Sequence, residues 1–228
     1  MARAINGLFG KVTGKIGDFI VRNVNGKTVI SAKPKKYKIS NSVKSIESRQ
    51  RFAVTVAFSK VINGLSTLQE IWNLKKEENL SEYQTIHKFN ISLSSVQAPT
   101  LNNIITPNGT WSPVIDVSID TEKLTGSLVP FDKQIAIKYD EAKVSINAVV
   151  SLSEPKNADN LYYSIFSLSK EIKDFDFSKQ CDFDIGLDPE TATDVAKYNQ
   201  KIIYLAVAVK SKNNEILCYS KSYSKMIE

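Results

Sequence analysis

Histidine and cysteine are nearly missing from this chain, whose 228 residues include one histidine, His87, and two cysteines, Cys181 and Cys218. With neither a Cys-x-x-Cys nor a His-x-x-x-His, the usual zinc ligand sets cannot be assembled within one chain. A Ser-His-Asp or Cys-His unit would have to use His87, which stands in the polar stretch 81–88, and no Gly-x-Ser-x-Gly elbow occurs. His87 therefore reads as a solvated helix histidine, and the two cysteines read as free thiols rather than a disulfide. Long apolar runs are missing too. The longest, Ile202 to Val209, has eight residues, so no transmembrane helix is expected. No apolar leader develops before Gly7, Gly10 and Lys11, which gives the expectation of a cytoplasmic or particle-associated protein.

What is present is ordinary globular material, 42% apolar and 24% charged, with a lopsided charge layout. The formal net charge is +6, yet residues 1–60 hold 13 Lys/Arg against 2 acids, residues 61–100 hold 3 against 4, and residues 101–228 hold 14 against 18. A basic head precedes an acidic body. Such polarity steers the head toward phosphate, another anionic surface or a neighbouring copy.

Glycines 7, 10, 14 and 17 invite a phosphate-loop reading, but the spacing fails: Gly10 and Gly14 are separated by three residues, and Lys15 is followed by Ile16 instead of Ser or Thr. Phe19 to Ser31 reads as a β-hairpin turning at Asn25-Gly26. In that register Phe19, Val21, Ile30 and Ala32 share a face that should be buried, and Arg22 and Lys27 lie on the opposite, basic face. The segment 33–38, Lys-Pro-Lys-Lys-Tyr-Lys, reads as an exposed strap.

From Ser42 the period becomes helical, with a stripe of Ile46, Arg49, Ala53, Val56, Lys60, Gly64 and Leu65 and an end near Asn63. Helices are also expected over 65–76 and 81–89. After Ala98-Pro99, seven alternating runs follow: 114–119, 133–139, 144–152, 162–168, 179–185, 201–209 and 215–223. The last pair should place Val209 against Cys218, with Leu205, Val207, Val209, Ile216 and Cys218 on one inner face. Asp194-x-x-x-Tyr198 is similar to the tyrosine corner of immunoglobulin-type sandwiches, without the cysteine two residues on. The predicted fold is α+β: a basic N-terminal hairpin and helical region over 1–97, then an antiparallel immunoglobulin-like β-sandwich over 98–228.

The N-terminal motifs resemble an uncharacterised Bacteroidota family, a domain of unknown function. The positions that carry the resemblance are Met1-Ala2-Arg3, Asn6-Gly7, Thr13-Gly14-Lys15-Ile16-Gly17, Lys33-Pro34-Lys35-Lys36, and Ser42, Ser45, Arg49 and Phe52, with Tyr198 and Ser220-Lys221-Ser222-Tyr223 near the other end. Thr13 stands where the family has serine, and Ser42 and Ser45 replace its Thr/Gln pair. The resemblance implies one architecture and carries no activity.

With no catalytic set in view, the expectation is a non-catalytic binding or assembly protein, without cofactor, metal or small-molecule substrate, that meets a protein partner or its own copies through the basic region. Its anionic-partner residues would be Lys11, Lys15, Arg22, Lys27, Lys33, Lys35, Lys36, Lys38, Arg49 and Arg51. The alternative is nucleic-acid binding by the same set, for which Phe9, Phe19 and Tyr37 offer little base stacking. The acids Asp174, Asp176, Asp182, Asp184, Asp188 and Glu190 could hold calcium, but Asp182 and Asp184 alternate with Phe183 and Ile185 as an outward strand face does.

Overall fold

A computed structural model describes residues 3–5, 11–24, 26–33, 39–109, 111–131, 142–173 and 175–227. Contacts divide the chain into two units, residues 1–45 and 46–228.

In the first unit, β1 (Arg3–Ile5), β2 (Lys11–Ile16), β3 (Phe19–Val24) and β4 (Lys27–Ala32) form a four-stranded antiparallel sheet in chain order. Gly26 takes φ +76°, a conformation that a side chain disfavours, and it sets the register: Val24 pairs with Lys27, Arg22 with Val29, Val21 with Ile30 and Phe19 with Ala32. That pairing is the one the sequence predicts. The burial is not. Val21 is 4% exposed, but Phe19 and Ile30 on the same face are 52% and 66% exposed, because the described elements of this unit form a single layer. The strap at 34–38 lies outside the described residues.

Three helices follow, α1 (Val43–Asn63), whose first three residues fall in the first unit, α2 (Ser66–Asn73) and α3 (Glu82–Asn90). Ser42 caps α1 weakly through a 3.4 Å bond from the Ser45 amide. The face of α1 that packs is Val54, Thr55, Phe58, Ser59 and Ile62, not the predicted stripe, of which Ile46, Arg49, Ala53 and Lys60 are exposed. Two small hydroxyl residues, Thr55 and Ser59, occupy core-facing positions, and this blurs the apolar period on which the prediction relied. In α2, Leu68, Ile71 and Trp72 are fully buried, as expected. Ser81 caps α3 in a complete capping box with Gln84.

Strands follow: β5 (Val114–Ile119), β6 (Lys123–Leu128), β7 (Lys143–Pro155), β8 (Tyr163–Ile172), β9 (Cys181–Gly186), β10 (Tyr198–Lys210), β11 (Ile216–Tyr219) and β12 (Tyr223–Ile227), with α4 (Pro189–Ala196) ahead of β10. They make one antiparallel sheet in the order β5-β6-β9 and another in the order β11-β10-β7-β8, where β12 also pairs with β10. The predicted runs at 114–119, 144–152, 162–168, 179–185 and 201–209 correspond to strands. The run at 133–139 lies outside the described residues, and the run at 215–223 is two strands. β6 was not expected, because Gly126 and only two strongly apolar residues, Leu124 and Leu128, leave it little alternation.

Both faces of the middle of the five-stranded sheet are buried. Ile203, Leu205, Val207 and Val209 join Val144, Ile146, Ala148, Val150 and Leu152 in one cluster with Val117, Ile119, Leu124, Leu128 and Phe183 of the three-stranded sheet. Ile202, Tyr204, Ala206, Ala208 and Val149, on the other face, pack under Phe58, Ile62, Leu68, Ile71, Trp72 and Ile86 of the helices. The continuous apolar run of β10 is the signature of a strand covered on both sides. The molecule is α+β.

Two local expectations are corrected. Val209 does pair with Cys218, but a register shift between Val209 and Lys210 brings Ile216 opposite Lys210, which turns Ile216 to the helix-side cluster instead of the inner face. Tyr198 does not close its own corner: its hydroxyl donates to the Leu161 carbonyl, 3.0 Å away and 37 positions earlier, while Asp194 pairs with Lys197.

Among its described residues the stretch from Ile91 to Pro113 has no regular element, yet it is tightly tied. The Asn90 amide donates to the carbonyls of Ile86 and Ile104 at 3.1 and 3.0 Å, and its oxygen accepts from the Ile104 amide and Asn103 Nδ2 at 2.9 and 3.0 Å. Tyr204 donates to Thr100 O at 2.6 Å, Trp72 Nε1 to Ile105 O at 2.9 Å, and Ser222 Oγ accepts the amides of Ile105 and Thr106. Gly109 lies so close to the Ser220–Lys221 backbone that an added Cβ would stand 2.2 Å from the Ser220 carbonyl carbon.

Candidate functional site

Alternation along β3 puts Ile20, Arg22 and Val24 on one face, and their partners Lys15, Val29 and Lys27 share it. Lys15 and Lys27 are the diagonal neighbours of Arg22, at about 7 Å between Cβ atoms. No carboxylate is among these residues. Like charges gathered on one face repel, a cost that an anion laid across the face removes.

The remaining predicted residues are distributed differently. Lys33 is exposed just past β4, where its amide donates to the Asp18 carbonyl at 2.6 Å. Lys11 pairs with Ile5 through the backbone. Lys35, Lys36 and Lys38 lie outside the described residues. Arg49 and Arg51 are exposed on α1, in a stretch assigned to the other unit. Among the described side chains, Lys15, Arg22 and Lys27 are thus brought onto one sheet face.

The groups best suited to nucleophilic or acid-base chemistry sit in quiet settings. His87 is not solvated as expected: its ring packs on Phe52 at 4.8 Å, its Nε2 is buried, and that burial lowers its pKa. Burial pushes the Cys218 thiol up to about 11, and burial together with neighbouring Asp182 raises that of Cys181. Both cysteines are free.

The acidic residues hold local structure. Asp188 caps α4 by accepting the amides of Glu190 and Thr191 at 3.0 Å. Asp176 accepts from Ser178 and pairs with Lys179, which hold its pKa at about 2. Asp184 pairs with Lys170 at 2.9 Å, and Asp116 with Lys225 at 2.5 Å. Asp182 and Asp184 are exposed on either side of buried Phe183, the outward face that alternation predicts. Among the described residues no group of three or more His, Cys, Asp or Glu could hold a metal ion, and no helix is long and apolar enough to cross a membrane.

No protein-family model matches the sequence. No curated protein matches it either. Among solved structures, the crystal structure of Se-Met labelled beta-glucosidase from Kluyveromyces marxianus aligns at 11% identity over 50% of this chain and 14% of its own, with a TM-score of 0.19. That likeness carries no argument about fold or activity. The chain spans about one seventh of that enzyme's aligned chain.

One region escaped sequence reasoning altogether. Gln97, Glu154, Tyr162 and Gln200 line a depression beside the tied 91–113 segment. They come from four separate stretches and no shared motif announces them; the only local signal is the length of a segment without helical or strand period.

Proposed function

We propose that this is a non-catalytic binding or assembly protein whose basic N-terminal unit docks on an anionic partner or on a neighbouring subunit. The observation that carries the reading is the register of β2, β3 and β4, which puts Lys15, Arg22 and Lys27 on one face with no carboxylate among the described residues sharing it. The excess of 13 basic over 2 acidic residues in the sequence of positions 1–60 supports the same reading. The second unit would act as a rigid, immunoglobulin-like sandwich body; the support for this is the single apolar cluster that both of its sheets share. The non-catalytic part of the reading draws on the raised thiols and the shielded histidine. Protein or self-association is favoured over nucleic acid, since the described basic face carries aliphatic Ile20, Val24 and Val29 between its cations and no aromatic ring for stacking.

The test compares the full chain with the triple variant Lys15→Glu, Arg22→Glu, Lys27→Glu. Light scattering follows self-association, and anisotropy follows a fluorescent single-stranded oligonucleotide, both at about 50 mM and about 300 mM salt. Association or capture that is present at low salt, weakened at high salt and lost in the variant is expected. A monodisperse monomer that ignores the oligonucleotide at low salt, or an association the variant leaves intact, overturns the reading. Capture of the oligonucleotide without self-association moves the assignment to nucleic-acid binding.

A further inference from the structure

The tied loop after α3 also covers the helix-side face of the five-stranded sheet. Tyr204 and Ser224 of the sheet are bonded to the loop carbonyls of Thr100 and Leu101 at 2.6 and 2.8 Å. Between loop and sheet end lies an open pocket of about 360 Å³. That is at the lower end of small-ligand sites, roughly 300–1,000 Å³.

Three independent features make it more than a surface dent. Its wall is fixed before any ligand arrives, because the 91–113 segment is anchored through buried Asn90 and Asn103. Glu154, on its lining, has φ +58°, a left-handed conformation that strains a side-chain-bearing residue and that glycine would adopt freely. Its polar side chains are linked across strands and loop: Ser153 donates to Gln200 Oε1 at 2.9 Å, Gln200 Nε2 reaches Glu154 at 3.5 Å, and Tyr162 donates to Gln97 Oε1 at 3.2 Å.

The chemistry of the lining selects the ligand. None of the described lining residues is basic, although the chain has 30 Lys and Arg, so the pocket is not made for an anion. Its amides, hydroxyls and single carboxylate offer donors and acceptors in alternation, beside apolar Ile202 and Met226 and the half-exposed ring of Tyr162. Vicinal hydroxyls on a ring with an apolar C–H face match that combination: each hydroxyl both gives and receives a hydrogen bond, and the ring face lies on aliphatic or aromatic carbon. The geometry points to a binding site for a neutral, hydroxyl-rich ligand, a short saccharide, with Glu154 held in its strained conformation to reach it.

Amide chemical-shift titration of the full chain tests this with cellobiose, maltose, lactose and N,N′-diacetylchitobiose, and with putrescine as the cationic control. At least one saccharide is expected to shift the amides around Gln97, Glu154, Tyr162 and Gln200. The variants Glu154→Gly and Tyr162→Ala should each weaken that response about tenfold or more, with no loss of thermal stability in Glu154→Gly, since glycine relieves the left-handed strain. The assignment falls if none of the four saccharides shifts these amides, if the response survives both variants, or if putrescine alone produces it. The basic face is untouched by either variant, so this result and that of the triple variant are read separately.

Discussion

His87 titrates against burial, and this gives the molecule a pH response of definite sign. Its folded pKa lies below the ordinary 6.5, so the unfolded chain takes up the proton first, and the contribution to stability is complete above about 6.5 and declines as pH falls toward the folded value. The melting temperature should therefore drop between about pH 7.5 and 5.5, and His87→Phe, which keeps an aromatic ring against Phe52, should flatten that drop. An equal slope in both proteins would disprove the assignment. At this scale the sequence showed that the histidine was isolated, not that it was shielded: the ring of Phe52 reaches it from another helix. The pocket residues were hidden for the same reason, since Gln97 and Tyr162 meet only because two distant segments converge.

Elements were legible wherever a local rule acts alone. The Asn-Gly pair of the first unit sets a two-residue connection, and from it all the side-chain pairings between β3 and β4 follow. The rule that failed was periodicity, and it failed where polar residues are buried: Thr55 bonds back to the Arg51 carbonyl at 2.8 Å, which lets a hydroxyl occupy a core position. The start of α3 shows an overlooked rule. Ser81 and Gln84 stand at capping-box spacing in the bare sequence, and in the structure Ser81 Oγ accepts the Gln84 amide at 3.2 Å while Gln84 Oε1 accepts the Ser81 amide at 2.9 Å. Replacing Ser81 with Ala should cost about 1 kcal/mol in denaturant unfolding, with an unchanged dependence on denaturant concentration. A cost near zero would mean that packing alone holds the helix.

For the whole molecule, sequence established the α+β class and the charge asymmetry, because both are sums over many residues. Sheet order was beyond it: β6 joins β5 to β9 across more than fifty intervening positions, and no local pattern encodes such a partnership. Asp116, Asp176, Asp184 and Asp188 all titrate below the ordinary 3.8, held there by hydrogen bonds and lysines. Their folded pKa values being lowered, the stability they supply is present above about 4 and is lost as pH falls through the folded values. Melting temperature should fall again below about pH 4, separately from the His87 step, and the double variant Lys170→Ala, Lys225→Ala should make that second fall shallower. A second fall of undiminished size would assign acid unfolding to other carboxylates.

The placement of β10 also has a consequence in time. β7 meets β8 soon after synthesis, but its other edge waits for β10 while the roughly 40 residues 156–197 are made, about 2–8 s at ribosomal speed. Throughout that interval a thirteen-residue strand with ten buried positions stands with one edge unzipped and neither covering layer locked down. Nascent chains should therefore lean on holdase chaperones at this stage, and slow codons between β8 and β10 should lower the soluble yield without altering the finished protein.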